Sequence, residues 1–585
     1  MRSCTVPTNS KSYPGLSVAV LLAVAGSASG CTPSEPATDD TTTGITVGPT
    51  VGGTTVGSTD DGTTAATADG TATAPTSTST ADDTEGPDTA PIFDVDYDTD
   101  SDTDGPPIDM CTVQDDMNAV GDCNAEAPPD SFEPDVQWVW TGGATGEQSC
   151  IVTALVANLT DDDGNGTIDL CDVPDVVVVA ATTHTAPGYV FLLDGETGAE
   201  HMRFGTQVVD HVTPALGDID DDGIPEIITV GFSDGRLVAF EHDGTVKWTG
   251  DTVWEDGLPN GTGGLFGDWA YGSVQLADVD TDGDVEIIAG NMLADHTGHT
   301  LWFAPEVAGD WNASTAADLD GDGDLEIVLG HAAFRHDGST LWVVPSVQPG
   351  FPQVADLDGD GLPEVLVTNR GGISLIEHDG TLTYQDLRPT GVSSGGLNWI
   401  RPATIHDFDG DGAPEFAVSS QTHYTVYEPN GMIVWDAPVV DFSGVAGGTA
   451  FDFLGDGIAE AMYTDEQRLH VFDGGGNSIL QIDRTSVTGT EYPVVADIDN
   501  DGSAEILVVS NGAGAGFPTV QAVRDVQDRW IQARRIWNQH AYHVTNVRED
   551  GTIPQFAPNS WEGLNTFRTQ AQIEGGGICV PTPPG

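Results

Sequence analysis

The stretch Val354-Ala-Asp-Leu-Asp-Gly-Asp-Gly-Leu-Pro-Glu-Val-Leu-Val367 constrains the fold of this chain more than any other. Asp356, Asp358, Asp360 and Glu364 stand at positions 1, 3, 5 and 9 of a short loop, with Gly361 at position 6. Alternate residues of a tight loop can turn inward together, and glycine tolerates the positive φ of the sharp turn. Oxygen ligands at that spacing suit a hard cation of the size of Ca²⁺. The apolar, β-branched residues on either side predict that the loop joins two strands.

The loop recurs. Asp218, Asp220, Asp222 and Glu226 form the first full copy, followed by Asp278, Asp280, Asp282 and Glu286, then by Asp318, Asp320, Asp322 and Glu326. After the copy at Asp356 come Asp407, Asp409, Asp411 and Glu415, then Asp452, Asp456 and Glu460, then Asp497, Asp499, Asp501 and Glu505. In the Asp452 copy, Leu454 replaces the second aspartate. Starts lie about 40 to 60 residues apart, the period of a propeller blade. An eighth, imperfect copy lies upstream, opening at Asn158 and closing at Asp175. Between them an insert carries Asp161, Asp163, Asn165, Asp169 and Asp172 at the spacing of an EF-hand loop, so unit one is expected to hold more than one ion.

Within each unit a β run follows the acidic loop. A third strand then enters an Asp-Gly turn, and a fourth ends in an aromatic, as in Glu241-His-Asp-Gly-Thr-Val-Lys-Trp248 and Arg335-His-Asp-Gly-Ser-Thr-Leu-Trp342. Asp-Gly between alternating strands is a hairpin signal. Four strands per unit with few helical stretches predict an all-β fold, a β-propeller of four-stranded blades. Eight blades are expected, the alternative being seven with unit one spent as a cap. The Val-Gln-Trp-Val-Trp run at 136–140 reads as a fourth strand able to complete the last blade. The histidines before Asp-Gly (His242, His336 and His378) read as turn residues rather than metal ligands.

On these loops and hairpins the chain resembles the FG-GAP and VCBS-type repeat proteins, whose calcium loops join the first two strands of each blade, as in the integrin α-chain propeller. The resemblance spans roughly residues 135–550. It implies a propeller, several Ca²⁺ ions and an extracellular binding role, and it names no substrate.

The ends of the chain bear on location. Arg2 and Lys11 precede an apolar run at 16–25 and small residues ending at Cys31, the pattern of a secretory signal over residues 1–30 with a bacterial lipobox. Cys31 is the expected lipidation site, placing the protein at the cell envelope, on the outer membrane or cell surface. Residues 31–110 are rich in Thr, Asp and Gly, and they cannot bury enough apolar surface to offset their ordering entropy. They read as a disordered acidic stalk carrying the propeller of 111–585. The formal net charge is −76, and eight Ca²⁺ ions would restore only about +16, so nucleic acid and anionic lipid are excluded as partners. The membrane enters only through the anchor.

Five cysteines remain after Cys4 and Cys31. Cys150 is expected to pair with Cys171, and Cys111 or Cys123 with Cys579, leaving one thiol over. Near the C-terminus Arg524, Arg529, Arg534, Arg535 and Arg548 are interleaved with Trp530, Trp537, His540 and His543. One reading makes Arg534, Arg535, Trp537 and His540 a contact site for an acidic ligand. The preferred reading pairs the arginines with acidic blades and packs the aromatics into the ring closure. The functional expectation is a surface-anchored binding or adhesion protein for glycans or proteins. A polysaccharide lyase or hydrolase on a propeller, and a structural subunit of the envelope, are the competing classes. No Ser-His-Asp order, GxSxG, HExxH or P-loop is present, which favours binding over catalysis.

Overall fold

The structure is a computed structural model that describes residues 111–113, 117, 121–128, 131–184, 186–253, 272–304, 313–392, 399–442, 445–512 and 516–581. All of them fall within the unit Ile45–Gly585. The signal, Cys31 and the stalk lie outside the described residues.

Each repeat folds where its sequence signals stand. In blade five, which carries the loop at Asp356, the strands Gly350–Ala355, Glu364–Asn369, Gly372–Glu377 and Leu382–Leu387 pair in chain order as an antiparallel sheet. The acidic loop joins the first two strands, where Gly361 takes φ +88°. The Asp-Gly hairpin joins the last two, where Gly380 takes φ +85°. The same order recurs around a ring of eight four-stranded blades, a β-propeller. Second strands are buried from end to end, as in Glu226–Val230, and inner strands nearly so. Outer strands alternate between core and solvent, as in Ile433–Pro438, because only one face meets a neighbouring blade.

The ring closes by strand sharing. Pro134–Trp140 pairs antiparallel with Val520–Asp525 and supplies the outer strand of blade eight, whose other three strands come from the far end of the chain. The run at 136–140 therefore sits where its sequence placed it, and unit one is a full blade rather than a cap.

Aromatic residues of outer strands fasten some neighbouring blades. Trp342 of blade four donates its indole N–H to the carbonyl of His378, in the hairpin of blade five, at 2.9 Å. Trp302 of blade three does the same to His336 at 2.8 Å. The hairpin glycine lies directly over the ring: a Cβ on Gly380 would sit 2.8 Å from Trp342. His336 and His378 thus contribute carbonyls to an inter-blade contact.

Two disulfides, Cys111–Cys171 and Cys123–Cys579, tie the N-terminal segment to blade one and to the C-terminal segment. The expected Cys150–Cys171 bridge does not form. Cys150 is buried as a free thiol between core residues, while Cys171 lies on the insert, within reach of Cys111.

Candidate metal centres

The acidic loop has one geometry in seven blades. The first aspartate turns back into its own loop: Asp356 accepts from the N–H groups of Gly359 at 2.7 Å and Gly361 at 2.9 Å. The closing glutamate accepts, through one carboxylate oxygen, the N–H of the residue at position 2. The pairs are Ile219–Glu226 at 3.0 Å, Val279–Glu286 at 3.0 Å, Leu319–Glu326 at 2.9 Å, Leu357–Glu364 at 2.7 Å, Phe408–Glu415 at 2.8 Å, Phe453–Glu460 at 3.1 Å and Ile498–Glu505 at 3.0 Å. This bond fixes one oxygen of the glutamate and leaves the second for another partner. In blade six, Asp407, Asp409, Asp411 and Glu415 each bring an oxygen within 4.8 Å of the others.

The donor set fits a hard cation. Glu364 Oε1, Glu415 Oε1, Glu505 Oε1, Asp278 Oδ1, Asp280 Oδ1 and Asp499 Oδ1 are buried with no hydrogen-bond partner in the protein, and such oxygens are costly unless something compensates them. Burial, with the neighbouring carboxylates adding to it, pushes Glu286, Glu364 and Glu415 up to about 8 and Glu326 to about 7. Glu460 and Glu505, more deeply buried, are raised well above the usual range for the same reason. An oxygen-seeking divalent ion would keep these groups charged at neutral pH.

Three blades vary the theme. In blade seven, whose loop lacks the second aspartate, Leu454 instead offers its carbonyl to the N–H of Ala127, so the N-terminal segment covers that loop. In blade two, Lys247 reaches into the loop and donates to Glu226 at 3.0 Å. In blade one, Asp175 accepts the N–H of Leu159 at 3.1 Å, the counterpart of the glutamate bond elsewhere, across the whole insert. The insert brings Asp161, Asp163 and Asp172 together as one group. Asn165 instead bonds Asp163 and Thr167, and Asp169 is engaged by Thr167 and the Cys171 N–H. Asn158 donates to the Asp169 carbonyl, and its own side-chain oxygen is buried without a partner. A second group, Asp162, Asp194 and His201, lies alongside. Sequence spacing did not show it, because His201 comes from the outer strand.

The Arg- and Trp-rich stretch is interior. Arg534 donates to Tyr542 Oη at 2.9 Å and to the carbonyls of Val544 and Val547 at 2.8 and 2.6 Å. Arg535 pairs with Glu549 at 2.9 Å, Trp537 is fully buried, and His540 packs between Phe351 and Tyr492. An exposed contact site made of Arg534, Arg535, Trp537 and His540 is therefore corrected: all four are buried in the closure, where Arg534, Arg535 and Trp537 spend their donors on protein partners. Trp537 exchanges backbone bonds with Val156 of blade one, Asn538 accepts from Leu216 of blade two, and Phe567 exchanges bonds with Ile405 of blade six.

Residues 356–418, from the loop of blade five into the second strand of blade six, match the family model of the FG-GAP-like repeat. The chain is a β-propeller, and one stretch of it matches an FG-GAP-like repeat. Among solved structures, the V. cholerae biofilm matrix protein Bap1 is similar at 21% identity and a TM-score of 0.63, over 77% of this chain and 100% of Bap1. The rhamnogalacturonan lyase YesW is similar at 16% identity and a TM-score of 0.48, over 78% of this chain and 84% of the lyase. The Bacillus licheniformis rhamnogalacturonan lyase PL11 follows at 16% and 0.45, over 76% and 82%. No curated protein matches the chain significantly.

Proposed function

We propose that this protein is a calcium-stabilised binding or adhesion module, held at a bacterial cell surface by a lipid on Cys31, with an extracellular glycan or protein as its ligand. One observation carries the reading. In blades five, six and eight the closing glutamate spends one oxygen on its own loop and keeps the other buried without a partner beside the aspartates, a set suited to the blade frame and a cation. Acids used in this way are taken out of acid–base work. The fold shared with Bap1, a biofilm matrix protein, supports adhesion within an extracellular matrix as the setting.

The test is a glycan array and a screen for lyase and hydrolase turnover on acidic polysaccharides, each run with Ca²⁺ and with chelator. Calcium-dependent retention of a glycan or protein without turnover is expected. Turnover of a polysaccharide would replace adhesion with catalysis. For the anchor, Cys31→Ser is expected to move the protein from the membrane fraction to the soluble one with its melting temperature unchanged. Equal membrane recovery would place the anchor elsewhere.

A further inference from the structure

Lys247 and Lys11 are the only lysines in the sequence. Lys247 stands at a particular register position. In blades one to seven the pairing of the third and outer strands slips near the hairpin, and the skipped residue belongs to the outer strand. In blade eight, which has no such hairpin, the slip falls at Gln137, which donates to Asp499. In blade two, Ala239 pairs with Trp248 and Phe240 with Val246, so the skipped residue is Lys247. In blades three, four, six and seven it is Leu301, Leu341, Val434 and Ile479. A bulge re-aims the side chain of its extra residue. Here the aim is toward the acidic loop of the same blade.

The ammonium of Lys247 donates to Glu226 Oε1 at 3.0 Å and to Glu241 Oε1 at 3.1 Å, and it also pairs with Asp220. Both oxygens of Glu226 are then engaged, one by Lys247 and the other by the N–H of Ile219. Glu364, Glu415 and Glu505 each keep an oxygen without a partner. Blade four also has a cation nearby, but Arg335 touches only the third-position Asp320, from the exposed side, and does not reach Glu326. In blade one His201 holds the Lys247 position and lies 3.1 Å from Asp175, the counterpart of Glu226.

We propose that the loop of blade two takes no metal ion and is neutralised from within by the ammonium of Lys247, so that the bulge residue decides which loops of the ring depend on calcium. A compact ammonium with three donors can sit among three carboxylates and contribute one positive charge at a point where a divalent ion would contribute two. The blade keeps its loop geometry at any calcium concentration. The inference rests on the reading that the other loops take calcium.

Calcium bound per chain, measured by equilibrium dialysis on the full chain, tests it with three variants. Asp278→Asn, in blade three, is expected to bind one ion fewer than the wild type. Asp218→Asn, in blade two, is expected to bind the same number. Lys247→Met, of similar length and without charge, is expected to bind one ion more. Loss of an ion in Asp218→Asn, or no gain in a folded Lys247→Met, overturns the proposal. If Lys247→Met does not fold, Asp218→Asn decides alone. If the wild type binds no calcium, the calcium reading of the other loops fails, and this inference is judged by melting in chelator. A lower melting temperature for Lys247→Met than for the wild type then supports it, and an unchanged one overturns it.

Discussion

At the scale of single residues, the closing glutamates govern how the protein responds to pH. Glu286, Glu364 and Glu415 have folded pKa values of about 8 against an ordinary 4.5, raised chiefly by burial. Without a cation, folding therefore takes up protons. The stability tied to these groups is whole below about pH 4.5 and is lost as pH rises through about 8. In chelator the melting temperature is expected to fall between about pH 5 and 8. With saturating Ca²⁺ the fall should vanish, because the ion holds the carboxylates charged. Differential scanning calorimetry in the two conditions checks this, and superimposable profiles would rule out a role for calcium. Glu415→Gln sharpens the test: at pH 8 it should melt above the wild type in chelator and below it in Ca²⁺, since the amide removes the buried charge and a ligand together.

At the scale of the strand and hairpin, stability rests on the contact between one blade's outer aromatic and the next blade's turn. Gly380 carries two constraints, its positive φ and the Trp342 ring beneath it. Gly380→Ala is accordingly expected to cost about 1–3 kcal/mol. Trp342→Phe keeps much of the ring but loses the indole bond to His378, and it should cost about 1 kcal/mol from the hydrogen bond. The two residues touch, so the double variant should cost less than the sum. Urea denaturation of the three variants measures this, and strict additivity would show that the contact is not a unit. The acidic loops and the hairpins were legible in the sequence because each is a short, local pattern whose glycine announces its turn.

At the scale of the whole molecule, closure depends on two long-range devices. Blade eight is completed by Pro134–Trp140, and the N-terminal segment just before it is tied to the C-terminal segment by Cys123–Cys579, 456 residues apart in sequence. The C-terminal segment bonds to blades on several sides of the ring, among them blade two through Asn538, blade five through Asn565 and blade seven through Arg568. Removing the tie by Cys579→Ser is expected to cost about 2–4 kcal/mol, by releasing the unfolded chain from a long closed loop. Thermal melting with and without reductant checks it: reduction should lower the wild type toward the variant. An oxidised wild type that melts with the variant would show that the ring is closed by strand pairing alone.

The sequence by itself determined the number and place of the acidic loops, the four-strand grammar of each blade and the strand that completes the last one. These depend on nearest-neighbour backbone preference and on a repeat that states each signal several times. Only the tertiary structure decided which cysteines meet, since Cys111 and Cys171 are brought together by the path of the insert. It also decided that Arg534 and Trp537 face inward, because polar and aromatic side chains pack as well in a closure as on a surface. Last, it placed Lys247 and His201 against the carboxylates of their own loops, because a one-residue slip in strand pairing sets where a side chain points, and spacing along the chain does not encode that slip.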